Sequence, residues 1–458
     1  MSHAAKDFRC DQRLGAIFAF HRGCGNGALV VWRNVSYEIA YEYPICREII
    51  LSKLKNGVVR LTNATINEVF QHLVLEPLTK LVESGTVPHD RFPVIVIDAL
   101  DECGTGRKEI LAHITQWTKL PKPLKLLVTS RFEQDIQLIF SKIPHQAIEV
   151  EAGATAASES THDIQLFLKH RFKEIKEFSG RSLSEDWPGE EIVNNLAKRA
   201  EGIFIWAVTA LDYVEEFDPE QGLEDLQSGS LPAGNVHALY RQLLENSFPR
   251  STSVSSFRTL ISAVVAAQAP LSAADFAHLL DMKESTVESI CGKLRSVLDE
   301  GVVRFRHRSF VDFLTLGDDG ITRDSLEDKA VCPEHFRINV EEGHRLLAEA
   351  SFRLMNKELR FNICNIRSSF LPNDTLQLND SIKPSLAYVS QFWALHLEHV
   401  PLLADWSAVI SFVQDNLLSW LEVLSIRQVL DTGAPSLSIL EQLMSSVRPH
   451  SHHTSIFP

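Results

Sequence analysis

At 458 residues, with 45% hydrophobic and 23% charged residues, the chain is long enough for two to four domains and too apolar to be globally disordered. A formal net charge of −14 disfavours broad, nonspecific nucleic-acid binding, although a local basic patch escapes such an average. The seven cysteines are scattered, odd in number and free of CxxC or metal-ligand spacing, so reduced thiols in an intracellular, cytoplasmic setting are expected. The start, MSHAAKDF, lacks the basic-then-apolar order of a signal peptide, and no apolar run is long enough to span a bilayer, so no membrane association is expected.

In chain order, LGAIFAF (14–20) reads as a buried strand and HRGCGNGA as the loop after it. Between 31 and 55 the spacing of Val35, Ile39, Ile45, Ile49 and Leu54 predicts helix, interrupted at Pro44. A second helix is expected near 66–82, opened by Asn63 or Thr65 with Glu68 following. PVIVID (93–98) is a short apolar run between a proline and acidic residues, the pattern of a buried parallel strand. A helix over roughly 107–118 follows, then the strands KLLVTSR (125–131) and QAIEV (146–150). Strands alternating with helices predict a parallel α/β sheet with helices on both faces.

Beyond residue 150 the strands largely stop. GATAASEST (153–161) is a small, polar connector, and the segments around 163–175, 190–217 and 236–248 are helical by period. FRTLISAVVAA is a helix broken at Pro270; Ser272 with Asp275 and Ser285 with Glu288 read as capping boxes of two further helices, the second ending near Leu298. GVVRFRH then reads as a short strand, so that helix–helix–helix–strand predicts a winged helix. Residues 341–458 return to helices, with loops at 366–384 and 432–436. The fold class expected is therefore α/β then α: a sheet domain over 1–150, a helical domain over 151–250, a winged helix over 251–320 and a second helical domain over 321–458.

The chemistry concentrates in VIVIDALDEC (94–103), where a buried strand runs into three carboxylates. Ligands sit at the carboxyl ends of parallel strands. Asp98, at the strand tip, is placed to hold magnesium through water, and Asp101 and Glu102 to orient the metal or an attacking water. Thr129, Ser130 and Arg131 end the next strand, within reach of a terminal phosphate. The plain alternative is a solvated acidic loop and a surface arginine. Cys103, beside two carboxylates, is expected to have a raised pKa and no nucleophilic role. His396 and His399 share a helix face, with packing favoured over a metal site because too few ligands are in view.

FPVIVIDALDEC followed by LKLLVTSR resembles the NACHT family of signal-transduction ATPases, in particular the fungal group with a nephrocystin 3-like N-terminal domain. LGAIFAFHRG, AEGIFIWAVTA, FRHRSFVDFL and LAYVSQFWALHL resemble further motifs of that family in the same order, over roughly residues 12 to 400. The resemblance implies a P-loop NTPase-like (STAND) switch, closed with ADP and opened by ATP, that oligomerises and works through protein partners. It makes Asp98, Asp101 and Glu102 the Walker B set, and it implies phosphate contacts for Arg131 and, from the winged helix, for His307. The alternative for His307 is packing beside Phe305 and Phe310.

The sequence departs from the family at one point. Only thirteen residues precede LGAIFAF, none of them matching GxxxxGK[ST], and no GK[ST] occurs anywhere. GCGNG (23–27) lacks the lysine and the hydroxyl, and reads as a turn. Losing several charge-assisted hydrogen bonds, each about 1.5–3 kcal/mol, weakens phosphate binding by roughly 10⁴-fold. A sheet without its P-loop strand also has unpaired edges. The first expectation is therefore a signalling switch or scaffold that binds no cofactor as written, its enzyme status left open. The second is an NTPase, using ATP or ADP with Mg²⁺, whose gene model has lost its N-terminus. The outsider is a DNA-binding winged helix, disfavoured because STVESICGKLRSVL carries few basic residues.

Overall fold

The computed structural model describes residues 13–20, 28–61, 64–88, 91–103, 106–120, 124–148, 158–178, 183–216, 218–227, 235–249, 251–299, 301–315, 331–366, 382–400 and 406–447. The chain divides into two compact units, Met1–Ile148 and Glu149–Pro458. The GCGNG turn and Asn63 lie outside the described residues.

The first unit is built on β1 (Leu14–Ala19), α1 (Ala28–Glu42) and α2 (Pro44–Lys55). Pro44 opens α2 at its first position, where a missing N–H costs nothing. Next, α3 (Ile66–Val69) passes through a π-helical turn, Phe70–Leu75, into α4 (Glu76–Glu83). Thr65 caps α3 reciprocally: its hydroxyl accepts the Glu68 N–H (3.2 Å) and the Glu68 carboxylate accepts the Thr65 N–H (2.8 Å). Then come β2 (Val94–Asp98), α5 (Arg107–Trp117), β3 (Lys125–Val128) and α6 (Gln134–Phe140). The strands pair in parallel in the order β1-β2-β3, with Val96 opposite Ile17 and Leu127. All four aliphatic residues of β2 are buried, as a central parallel strand requires. In β3, by contrast, Lys125 and Leu127 are exposed. The expected strand at 146–150 does not form in its described part: Gln146, Ala147 and Ile148 are all exposed and pair with no strand. Glu149 and Val150 lie outside the described residues.

The second unit is helical: α7 (Ser158–Phe178), α8 (Glu190–Arg199), α9 (Phe204–Glu216), α10 (Pro219–Gln227), α11 (Val236–Ser247), α12 (Ser251–Ala266), α13 (Ala273–Leu280), α14 (Glu284–Lys293) and α15 (Arg308–Thr315). After these come α16 (Val340–Glu358), α17 (Pro384–Glu398), α18 (Ser407–Ser411), a π-helical turn Phe412–Asn416, α19 (Leu417–Ile426) and α20 (Gly433–Val447). The expected polar connector is cut short, because α7 already begins at Ser158. A single long helix over 190–217 is not formed; positive φ at Glu201 (46°) and Gly202 (75°) separates α8 from α9.

Ser272 caps α13 in the expected box with Asp275 (3.1 Å). Ser285 does not cap α14: Lys283 is the cap residue, so Ser285 falls inside the first turn. The helix also ends at Lys293, five residues before Leu298. GVVRFRH makes two isolated antiparallel bridges, Leu271 to Val303 and Leu298 to Phe305, rather than a strand. The loop expected at 432–436 is largely the first turn of α20, with Pro435 near its start, where proline is tolerated.

Ser407–Ile426 corrects the reading that no segment could span a bilayer: by length and mean hydropathy (1.2) it qualifies. Asp415 and Glu422 hide this in the sequence by interrupting the apolar run. Phe412, Trp420, Val423 and Leu424 are buried and the Trp420 indole donates to the Ser390 carbonyl (2.7 Å), while Ile410 and Leu418 of the same segment are exposed.

Gly343 on α16 packs directly on α12, where an added Cβ would stand 2.1 Å from the Ser262 carbonyl oxygen. Gly292 on α14 has nothing within 4 Å. Gly343→Ala is therefore expected to destabilise the second unit by about 1–3 kcal/mol, and Gly292→Ala to stabilise it by about 0.5–1 kcal/mol. Urea unfolding of the two variants beside the parent checks both signs.

Candidate functional site at the carboxyl ends of the strands

Parallel pairing brings the ends of β2 and β3 level. The Asp98 carbonyl accepts the Phe20 N–H, the Ile97 carbonyl accepts the Thr129 N–H, and the Thr129 carbonyl accepts the Leu100 N–H, each at 3.0 Å. The Thr129 hydroxyl accepts the Ala99 N–H (2.9 Å) and donates to Asp98 Oδ1. Ala99 between them has φ 54° and ψ 50°, a left-handed conformation uncommon for a residue with a Cβ. Such strain persists only where the surroundings enforce it, and it concentrates at functional sites. Here both flanking amides are held by Thr129.

One 3₁₀ turn, Leu100–Glu102, then separates the fates of the other two carboxylates. Asp101 is turned inward and is only 6% exposed. Its Oδ1 accepts the Arg131 N–H (3.0 Å), and its Oδ2 lies 3.8 Å from Arg131 Nε. Arg107 donates to the Asp101 carbonyl (3.1 Å) and pairs with Asp135 (3.0 Å), tying α5 and α6 to the same turn. Glu102 is half-buried on the turn. The Arg131 guanidinium is 42% exposed. Asp98, Asp101, Glu102 and Arg131 thus share one loop cluster.

His307 belongs to the second unit. Its Nδ1 accepts the Ser309 N–H (3.1 Å) and lies 2.7 Å from the Ser309 hydroxyl, which in turn meets the Tyr240 hydroxyl at 2.8 Å. A backbone N–H only donates, so Nδ1 is an acceptor and the neutral ring carries its proton on Nε2. The imidazole therefore serves the first turn of α15.

For water-held Mg²⁺ the donor set at the strand tip fits: Asp98 stands half-exposed at the end of β2 with one oxygen on Thr129. For nucleotide phosphates the described residues do not complete a cradle. Phe20, Ala99 to Cys103 and Thr129 to Glu133, which follow the strands directly, include no lysine.

Two sequence readings need amending. The Cys103 thiol is pushed up to about 11, but burial is the main cause; Arg107 opposes the shift and Glu109 adds to it. The roles of Thr129 and Arg107 as the brackets of Asp98 and Asp101 were missed, since they join positions on different elements and leave no local spacing. His396 meets a partner the sequence did not suggest, His344 on α16, 52 positions away (Nδ1 to Nδ1, 3.0 Å). Among the described residues no group of three or more His, Cys, Asp or Glu side chains could hold a metal.

If Asp101 is chiefly the clamp on the loop after β3, Asp101→Ala removes a buried carboxylate that accepts the Arg131 N–H and is expected to cost about 1–3 kcal/mol. Arg131→Ala keeps that N–H bond and removes the long (3.8 Å) ion pair, an expected loss below about 1 kcal/mol. Chemical denaturation of the two variants checks the order; equal losses would remove the clamp assignment.

Comparison with known proteins matches the same region. Residues 1–131 match the family model described as nephrocystin 3, N-terminal. The vegetative incompatibility protein HET-E-1 of Podospora anserina is 24% identical over 381 residues, covering 78% of this chain. The chain spans 27% of that relative's length. The two matches agree: the chain is a relative of the fungal NACHT-type signalling proteins, with a nephrocystin 3-type segment over residues 1–131.

Proposed function

We propose that the chain is a cytoplasmic NACHT/STAND-type switch or scaffold that acts through protein partners, homo-oligomers among them, and that its own residues do not support ATP binding or hydrolysis. The observation that carries this reading is a strand-tip constellation with its parts in place, Asp98 on Thr129 and Asp101 on Arg131, in a sequence with no GxxxxGK[ST]. The relative's name places that protein in vegetative incompatibility, and a signalling part of that kind is the role we propose.

The finer division belongs to the same proposal: a NACHT-type sheet domain over 1–150, helical domains over 151–250 and 321–458, and a winged helix over 251–320. Three helices closed by the two antiparallel bridges support the winged helix. Its α14 buries Val287 and Ile290, and Lys293 lies over the Phe248 ring (5.0 Å), which favours internal packing over nucleic acid. His307, held by Ser309, is a packing residue in this reading, and no membrane contact is part of it.

A ligand at 100 times its Kd adds about 2.7 kcal/mol to the unfolding free energy. With millimolar Mg-ATP or Mg-ADP the melting temperature is expected to stay at the ligand-free value, and phosphate release to match a protein-free control. A clear shift abolished by Asp98→Ala would favour the second reading, an NTPase with Asp98 at its metal, Asp101 and Glu102 catalytic, and Arg131 and His307 on phosphate.

A further inference from the structure

We propose that His344, His396 and Tyr388 form an acid-sensitive latch holding α12, α16 and α17 together, which opens as the pH falls because the parted helices take up protons that the closed ones exclude. The latch is a chain of hydrogen bonds through the interior. The N–H of Gln268, just past α12, donates to the Tyr388 hydroxyl oxygen (3.1 Å); Tyr388 meets His396 Nε2 (2.8 Å); His396 Nδ1 meets His344 Nδ1 (3.0 Å). His396 is fully buried, Tyr388 is 3% exposed and His344 5%.

Donation can run in one sense from Tyr388 to His344. The Tyr388 O–H donates to His396 Nε2, so the neutral His396 ring carries its proton on Nδ1 and donates to His344 Nδ1. A proton on both imidazoles would set two N–H groups against each other across the 3.0 Å contact, and the chain would break there. The place where it breaks also matters. Gly343, beside His344, lies directly against the Ser262 carbonyl of α12, so the relay sits next to a close contact between the two helices.

Among the described residues no carboxylate is bonded to these rings to offset a positive charge. His399 stacks on His344 (4.2 Å between centroids, 10° between planes) and donates to the Leu395 carbonyl (2.8 Å); a proton there repels one on its neighbours. On α16, Glu342 and Glu349 are both engaged by Arg345, and Glu341 is exposed. Glu398 on α17 is exposed, and Lys383 at its other end pairs with Glu358, which also takes His278 of α13. Arg258 of α12 is exposed. Asp415 lies on Ser411, Glu422 accepts the Asn362 N–H, and Glu441 of α20 is exposed. Among the described residues none of these carboxylates makes a hydrogen bond or ion pair with the three imidazoles.

Burial pushes His396 down to about 3 and His344 to about 4. Once the helices part, both rings return towards about 6.5. The closed form therefore binds fewer protons than the open form. Its advantage is complete above about pH 6.5 and is lost as the pH falls from there towards 4 and 3. At pH 5 each histidine favours the open form by roughly 30-fold, and the two together by roughly 10³-fold.

Hydrogen-exchange mass spectrometry of the full chain, corrected for the intrinsic pH dependence of exchange, reads the opening of α16 and α17 directly. Between pH 7.5 and 5 their opening constant is expected to rise roughly 10³-fold in the parent, and at least 100-fold less in the H344Q/H396Q double variant. An equal rise in both would overturn the proposal. Should the double variant fail to fold, ring nitrogen shifts of the parent at pH 5.5 decide: two neutral imidazoles, one protonated on Nδ1, support the latch, and rings that are all charged at that pH overturn it.

Discussion

Hydrogen bonding on both edges of Val94–Asp98 is the constraint from which the first unit follows. A parallel strand paired on two sides has no free edge, and its four aliphatic side chains are all buried. Its direction and end-point are thereby determined by Leu14–Ala19 on one side and Lys125–Val128 on the other. Thr129 leaves the sheet level with Asp98, its backbone still paired to Ile97 and Leu100, and its hydroxyl has one short path to the carboxylate. The left-handed turn at Ala99 follows, because the chain must leave the strand while both flanking amides remain bonded to the same threonine.

That geometry gives adjacent acids different work. Asp98 faces the strand tip and keeps a partly exposed carboxylate. Asp101, three residues on, is almost excluded from water and spends its oxygens on Arg131. A buried carboxylate persists only with partners that compensate its lost hydration, and the partners here are the main chain and side chain of a neighbouring loop. The loop after Val128 is therefore held by the more buried of the two acids.

The second unit obtains its order from helix packing. Gly343 lets α16 approach the α12 backbone more closely than any side chain would permit. Further along α16, beside Phe352, the rings of Trp393, Phe412 and Trp420 meet edge to face, at centroid distances of 5.6 to 5.8 Å. Polar groups in this interior must find partners among themselves, and the tyrosine–histidine–histidine chain is the result. It satisfies each group at the price of leaving no room for charge.

The sequence by itself determined what is local. The apolar runs in LGAIFAF (14–20), PVIVID (93–98) and KLLVTSR (125–131) marked the positions of three strands, although the last strand ends at Val128. Ser272 with Asp275 marked a helix start, Asn63 or Thr65 with Glu68 another, and Pro44 a break, since capping and proline act within four residues. The order of short motifs pointed to the family. Tertiary structure alone decided which carboxylate is buried, that Thr129 serves Asp98, that His344 meets His396, and that Ser285 lies inside its helix instead of capping it. It also left Gln146–Ile148 without a strand. These outcomes depend on what stands opposite each residue after packing, tens of positions away in the chain, and a period of two or 3.6 residues carries no information about a partner at that distance.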